Sequence, residues 1–272
     1  MSLGAAEYKD FAHALLLEAQ RAGAAIMDIY RSGADVRYKA DRSPVTGADN
    51  ASERILLAAL SELAPGVPVI AEEQAAAGMN PPIGSEYFLV DPLDGTKEFL
   101  KVNGEFTVNV ALVVDKKPVF GLVYAPAKSD CYVTLTQKTA FRCFLPPAHN
   151  PAPEQELEFL PLTGEPAVPR SVTAIISRSH PRPEVIEFLD KLGIVERITL
   201  GSSLKFGVLA RGEADVYPRF GPTSEWDIAA GQVILEAAGG CVVTAGGEPF
   251  IYGKQAEGFT NLPFIAWRRR PD

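Results

Sequence analysis

Seven prolines fall between residues 145 and 170 (Pro146, Pro147, Pro151, Pro153, Pro161, Pro166 and Pro169), and the pattern of apolar residues differs on the two sides of them. Proline supplies no amide donor, so this stretch cannot run through a sheet interior and reads as a surface connection. Upstream, apolar residues at helical spacing (Phe11, Leu15, Leu16, Ala19, Ala22, Ile26, Ile29) predict a long helix over 7–31. A second helix is predicted over 49–63, ending before Pro65-Gly66, and four strand-like runs follow: "VPVIAEE", "EYFLVDP", "TVNVALVVD" and "PVFGLVYAP". "DKKP" joins the last two as a hairpin turn. Downstream the strands alternate with helices: "SVTAIIS", helix 181–192, "ERITLG", helix 202–212, "ADVYPR", helix 225–238 and "GGCVV". Helices followed by a meander imply an α+β unit over 1–169, and alternation implies an α/β unit over 170–272 that carries Asp227, with the boundary near 169.

With 272 residues, 47% of them hydrophobic, the chain can bury a substantial core, but no apolar run approaches the roughly 20 residues of a membrane span. No transmembrane segment and no export signal are expected. Cys131, Cys143 and Cys241 show no C-x-x-C spacing, which favours a reduced, cytoplasmic setting, with loose association at the inner membrane left open. A net charge of −8 argues against a nucleic-acid polymer as partner, and the one basic cluster, Arg268-Arg269-Arg270, reads as a solvated tail.

Acids recur where the predicted strands end. "EYFLV" runs into Asp91, Pro92, Leu93, Asp94, Gly95 and Thr96; Pro92 is expected to stop the strand and Gly95 to permit a tight turn. "VIAEEQ" ends in Glu72 and Glu73, and "SEWDIAAG" puts Asp227 at a helix start. Taken one at a time, Asp94 fits a turn and Asp227 a helix cap. Taken together, carboxylates at several element ends repel one another unless a cation sits among them. With three histidines and no paired cysteines the ligand set is oxygen-rich, which favours Mg²⁺. The first free N–H groups of "GTKEFL" could hold a phosphate beside it, so the spacing points to metal-assisted phosphoryl transfer.

"EE", "DPLDGT" and "WDIAAG", in this order, resemble the inositol-monophosphatase-like superfamily of Mg²⁺-dependent, lithium-sensitive phosphatases. "KADRSPVTGAD", "DGTKEF", "NGEFTVNVAL", "SRSH", "GSSLKF" and "YPRFGPT" are similar to its bacterial 3′(2′),5′-bisphosphate nucleotidase branch. The resemblance implies a layered αβαβα sandwich binding two to three Mg²⁺ ions. It implies that Glu72, Asp91 and the Leu93 carbonyl hold the first ion and Asp91, Asp94 and Asp227 the second, with Glu72 reaching a third through water. Gly95 and Thr96 would bind the phosphate being removed, Leu93, Asp94 and Asp227 would also take part in phosphate or substrate binding, and Asp49 would pair with the Thr96 hydroxyl to orient and deprotonate the attacking water.

His180, Ser202, Ser203, Lys205 and Arg219 match the branch's nucleotide-binding motifs. Surface solubility is the alternative for Lys205 and Arg219, a helix cap for His180, and Trp226 is open between core packing and ligand contact. The expected activity is removal of the 3′-phosphate of adenosine 3′,5′-bisphosphate, with its sulfated form as a second substrate in sulfur assimilation. An inositol or sugar phosphatase is the enzymatic rival and a non-catalytic nucleotide sensor the rival from another class. A monomer and a homodimer both remain open. No G-x-S-x-G, Walker A or G-x-G-x-x-G motif supplies a competing site.

Overall fold

The computed structural model describes residues 5–33, 36–39, 44–153, 156–166, 168 and 171–270. The expected boundary at 169 and residues 40–43 of "KADRSPVTGAD" lie outside the described residues. The chain opens with α1 (Ala5–Ser32), an antiparallel pair β1 (Val36–Tyr38) and β2 (Pro44–Thr46), and α2 (Gly47–Leu63). Next come β3 (Val69–Ala71), α3 (Glu72–Ala76), β4 (Glu86–Asp94) and α4 (Thr96–Leu100). A meander follows: β5 (Thr107–Val114), β6 (Lys117–Ala125), β7 (Asp130–Thr136), β8 (Thr139–Phe144) and β9 (Leu160–Pro161). The rest alternates: β10 (Thr173–Ser177), α5 (Pro183–Lys191), β11 (Glu196–Leu200), α6 (Leu204–Ala210), β12 (Val216–Arg219), α7 (Ala229–Ala237), β13 (Cys241–Thr244) and β14 (Phe264–Trp267).

Strands β3 to β9 form one sheet in sequence order, parallel between β3 and β4 and antiparallel elsewhere. Because side chains alternate along a strand, each strand feeds two cores. Phe88, Val90, Val108, Val110, Phe120 and Leu122 face the apolar stripes of α1 and α2, whose Phe11, Leu15, Leu16, Leu56 and Leu60 are fully or nearly buried. Tyr87, Leu89, Ala111, Val113 and Val123 face the other way, onto Phe206 and Leu209 of α6 and Ile234 and Leu235 of α7. Gly121 is needed here, since a Cβ would lie 2.5 Å from the Ala230 carbonyl oxygen.

The second sheet, ordered β11-β10-β12-β14-β13, packs against the far side of that helix pair through Ile175, Tyr217, Phe264 and Ala266. Its outer face (Ala174, Val216, Ile265) is covered by Val185 and Leu189 of α5. Five layers result, helix–sheet–helix–sheet–helix, which is the αβαβα sandwich. Each large apolar side chain removed from water contributes about 1.5–3 kcal/mol, so the double use of every strand is what stabilises the stack.

Several expectations change. Pro92 does not end β4: the strand continues to Asp94 through a register shift between Asp91 and Asp94, a bulge that spares proline an amide bond in the ladder. Strand β3 stops at Ala71, so Glu72 and Glu73 open a helix rather than ending a strand. Asp227 closes a 3-10 turn (Glu225–Asp227) ahead of α7 instead of starting one continuous helix. Strands β7 and β8 had no counterpart in the sequence reading, and Pro161 pairs with Phe141 at the sheet edge. The proline-rich stretch is strapped to α1, where Gln20 donates to the Pro146 carbonyl at 2.9 Å. Nor is the arginine cluster a free tail: Arg268 Nε donates to Asp215 at 2.7 Å and Arg269 pairs with Glu165.

Candidate active site

The turn after β4 is built from local rules. The Asp91 carboxylate accepts the Leu93 N–H at 3.0 Å, and Ser52 of α2 donates to the Pro92 carbonyl at 2.8 Å, pinning the bulge. Gly95 then takes φ +93°, a conformation a β-carbon disfavours. At the start of α2, Asp49 Oδ2 accepts both the Thr46 N–H and the Thr46 hydroxyl at 2.7 Å. Its other oxygen, Oδ1, lies 3.4 Å from the Thr96 hydroxyl, which is also 3.4 Å from the Leu93 carbonyl. Asp227 caps its own turn by accepting the Ser224 N–H at 2.8 Å. Both acids therefore cap helices, and the capping role coexists with a place at the site.

A cavity of about 370 Å³ opens at the ends of β4, β10 and β12. Glu72, Asp91, Leu93, Asp94, Gly95, Thr96 and Asp227 line it together with His180, Ser202, Ser203, Lys205 and Arg219. Of the site residues expected from sequence, Asp49 alone is not on the wall, and it reaches the cavity through Thr96. Trp226 is not on the wall either; it is buried against Phe259 and belongs to the core.

The two sides of the cavity carry opposite charge. On one, burial and then repulsion from Glu72, Asp94 and Asp227 hold the Asp91 carboxyl well above the usual range. Burial, with Asp94 and Glu72 nearby, pushes Asp227 up to about 8. Burial pushes Asp94 up to about 6, against the opposing pull of Lys205 and the Ser203 N–H. On the other side Lys205 and Arg219 are 5% and 8% exposed, so neither is a solubility residue. Burial lowers Lys205 to about 8 despite Asp94, and Lys205 Nζ donates to the Ser202 carbonyl. Ser203 Oγ bonds Asn109 at 2.6 Å, joining "GSSLKF" to β5. Lys97 Nζ lies 3.0 Å from His180 Nε2. Burial first, then Arg219, Lys97 and Lys205, lowers His180 to about 4, so its ring is neutral and Nε2 accepts from the ammonium. His180 thus lines the cavity, and the N-cap position of α5 falls to Arg182 instead.

Among the described residues, no three His, Cys, Asp or Glu side chains stand close enough together to hold an ion as placed. Lys39 supplies a positive charge instead, at 2.7 Å from both Glu72 and Glu73. The donor set nevertheless fits hard divalent cations: four carboxylates and a backbone carbonyl on one wall, whose mutual repulsion a cation would relieve.

Lys39, Glu105 and Arg178 were not singled out from sequence, although each stands inside a quoted motif. Arg178 of "SRSH" grips Glu105 of "NGEF" through two bonds at 2.7 and 2.8 Å, and Glu105 also accepts the Gly201 N–H at 2.8 Å. This clamp ties the loop before β5 to the motifs of the second sheet. Two charged residues in separate motifs were the available signal, and nothing local pairs them.

The chain is a phosphatase of the inositol monophosphatase family, whose model matches residues 7–267. Enzymes of that family are generally metal-dependent phosphatases. Within the family the chain is CysQ-like. It is 42% identical to the 3′(2′),5′-bisphosphate nucleotidase CysQ of Escherichia coli (strain K12) over 249 residues, 90% of this chain and 95% of the relative. The CysQ of Shigella flexneri is also 42% identical, over 248 residues, with the same coverage of 90% and 95%. The crystal structure of CysQ from Bacteroides thetaiotaomicron superposes with a TM-score of 0.80 at 37% identity, covering 97% of this chain and 98% of that one. No helix among the described residues is long and apolar enough to cross a membrane.

Proposed function

We propose that this protein is a Mg²⁺-dependent 3′(2′),5′-bisphosphate nucleotidase that converts adenosine 3′,5′-bisphosphate to AMP and phosphate. One observation carries the reading: a single cavity has a carboxylate wall suited to a metal-bridged phosphate and a buried Lys205–Arg219 wall suited to a second one. A substrate with two phosphates on one small scaffold matches both walls. The names of the CysQ relatives support the same assignment. The sulfated analogue of that nucleotide carries the same 3′-phosphate and is a second substrate in this reading, which places the enzyme in sulfur assimilation within the cytoplasm.

Glu72, Asp91, Asp94, Asp227 and the Leu93 carbonyl would hold the cations. Bound Mg²⁺ supplies charge neutralisation and lowers the pKa of coordinated water. Asp49 is fixed by Thr46 so that Oδ1 is the oxygen turned to Thr96, and burial raises its carboxyl above the ordinary range, making it a competent proton acceptor. The Thr96 hydroxyl would relay the proton of the attacking water to Asp49 as the water oxygen bonds to phosphorus and the P–O3′ bond breaks, and the departing ribose 3′-oxygen would take a proton from a second water to leave as the 3′-hydroxyl of AMP. The amides of Gly95 and Thr96 hold the departing phosphate, and Lys205 and Arg219 anchor the 5′-phosphate. No covalent enzyme intermediate is needed.

Phosphate release from a panel of phosphorylated nucleotides and inositols, with and without Mg²⁺, tests this. Fast, Mg²⁺-dependent release from adenosine 3′,5′-bisphosphate is expected. Preference for inositol 1-phosphate would instead favour a sugar phosphatase, and no release at all a nucleotide sensor.

A further inference from the structure

Strand β5 reads T-V-N-V-A-L-V-V, apolar but for Thr107 and Asn109, and both of these are fully buried. Neither lines the cavity. The ladder sets Thr107 directly opposite Asp94 and Asn109 directly opposite Asp91. Residues opposed in this way share a sheet face, so each stands beside an acid of the carboxylate wall.

Both polar side chains reach the same atom. Ser203 Oγ lies 2.7 Å from the Thr107 hydroxyl and 2.6 Å from Asn109 Oδ1. A carbonyl oxygen only accepts, so the Ser203 hydroxyl donates to Asn109 and the Thr107 hydroxyl donates to Ser203. Asn109 Nδ2 is buried with no hydrogen-bond partner. Burying that donor is costly and a leucine would avoid it, so the residue type here answers to the bond its oxygen accepts and not to packing.

Ser203 ends a turn that touches both walls of the cavity. Its N–H donates to Asp94 Oδ2 on the carboxylate side. The preceding carbonyl, of Ser202, accepts the Lys205 ammonium on the cationic side. Ser202 takes φ +47°, a left-handed conformation that a β-carbon disfavours. Such a residue keeps its conformation only where its neighbours hold it. Upstream, the Gly201 N–H is fixed by Glu105 at 2.8 Å; downstream, the hold is the Ser203 hydroxyl between Thr107 and Asn109.

We propose that Thr107 and Asn109 are positioning residues that act through the Ser203 hydroxyl. They fix the turn over 201–203 so that Asp94 and Lys205 are set in place together, and binding of the cation and of the second phosphate share this one buried support. The roles given to the two walls rest on the nucleotidase reading above.

The test uses Thr107→Val, which keeps the shape of the side chain and removes the hydroxyl, and Thr107→Ser, which keeps the hydroxyl and removes the methyl. Two readouts are compared: the Kd for Mg²⁺ from calorimetric titration without substrate, and kcat and KM at saturating Mg²⁺ on adenosine 3′,5′-bisphosphate and on 3′-AMP. In Thr107→Val the Kd for Mg²⁺ should rise by about 2- to 12-fold, the worth of one neutral hydrogen bond. The bisphosphate should also lose kcat/KM more than 3′-AMP does, by a similar factor and through KM, because the contact with Lys205 is remote from the chemistry. Thr107→Ser should stay within about twofold of the unmodified protein in both readouts, and Asn109→Leu should follow Thr107→Val. A packing role predicts the reverse order, serine impaired and valine unaffected, and that order overturns the proposal. A Thr107→Val protein that binds Mg²⁺ less tightly yet loses equally on both substrates overturns it too, since the walls would then not share the turn. These outcomes in an active enzyme leave the nucleotidase reading standing. An unmodified protein that releases phosphate from neither substrate defeats that reading and this proposal with it.

Discussion

Lys205 offers the sharpest test of how the second phosphate is held. Lys205 is 5% exposed, its ammonium donates to the Ser202 carbonyl and lies 5.1 Å from the centre of the Tyr217 ring, and Asp94, Glu98 and Glu105 offset its burial only in part, so a substrate phosphate would complete its counter-charge. A charge-assisted contact in such a place contributes about 1.5–3 kcal/mol, so Lys205→Met should lower kcat/KM for adenosine 3′,5′-bisphosphate by about 10- to 150-fold. For 3′-AMP, which has no 5′-phosphate, the loss should stay within about threefold, because the contribution is remote binding and not chemistry. The pH profile sharpens the prediction. Burial lowers Lys205 to about 8, so the contact is complete below that pH and fades above it as the ammonium loses its proton. Wild-type kcat/KM on the bisphosphate should therefore fall above pH 8 toward the variant's level, and the variant should lack that fall. The ligand-free stability runs the other way: a lysine whose folded pKa lies below its ordinary value binds fewer protons folded than unfolded, so stability rises as pH climbs through about 8. The thermal midpoint of Lys205→Met at neutral pH should accordingly equal or exceed the wild type's. Phosphate release on the two substrates from pH 6 to 10 reads all of this. Equal losses on both substrates, or a variant that keeps the alkaline fall, would refute the assignment.

Asp94→Asn and Asp227→Asn should each abolish Mg²⁺-dependent turnover while raising the thermal midpoint in EDTA. Burial holds the two carboxyls up to about 6 and about 8, so their contribution is favourable at low pH and is lost as pH rises through those values; a wild-type midpoint in EDTA that does not decline from pH 5 to 8 would contradict this. Thr96→Val and Asp49→Asn should lower kcat by about 10²–10⁴-fold with the Mg²⁺ dependence little changed, whereas a pure rise in KM would make Thr96 a binding residue only. Li⁺ should inhibit at concentrations where Na⁺ and K⁺ do not, by entering the site between Asp91, Asp94 and Asp227; indifference to lithium in a phosphate-release assay would count against the cation assignment.

What sequence alone determined here is what neighbouring residues decide among themselves. Helical spacing from Phe11 to Ile29 needs no partner to be read, and it becomes α1 with its apolar stripe buried. Gly95 could be assigned a turn because its freedom at positive φ is intrinsic, and the left-handed turn is present at φ +93°. The acids at the element ends were legible for the same reason: a charge beside an apolar strand is conspicuous wherever the strand lies. Pro92 misled because proline stops a regular ladder, whereas a bulge, which depends on the neighbouring strand β5, absorbs it. Tertiary structure alone decided which distant charges meet. Glu105 and Arg178 are 73 residues apart in sequence, and the chain between them crosses from one sheet to the other. Lys39 finds Glu72 and Glu73 for reasons that no local pattern contains. Periodicity and turn chemistry act over a few residues, but the approach of two side chains across packed layers follows from how the whole core excludes water, and that is settled only when every layer is in place.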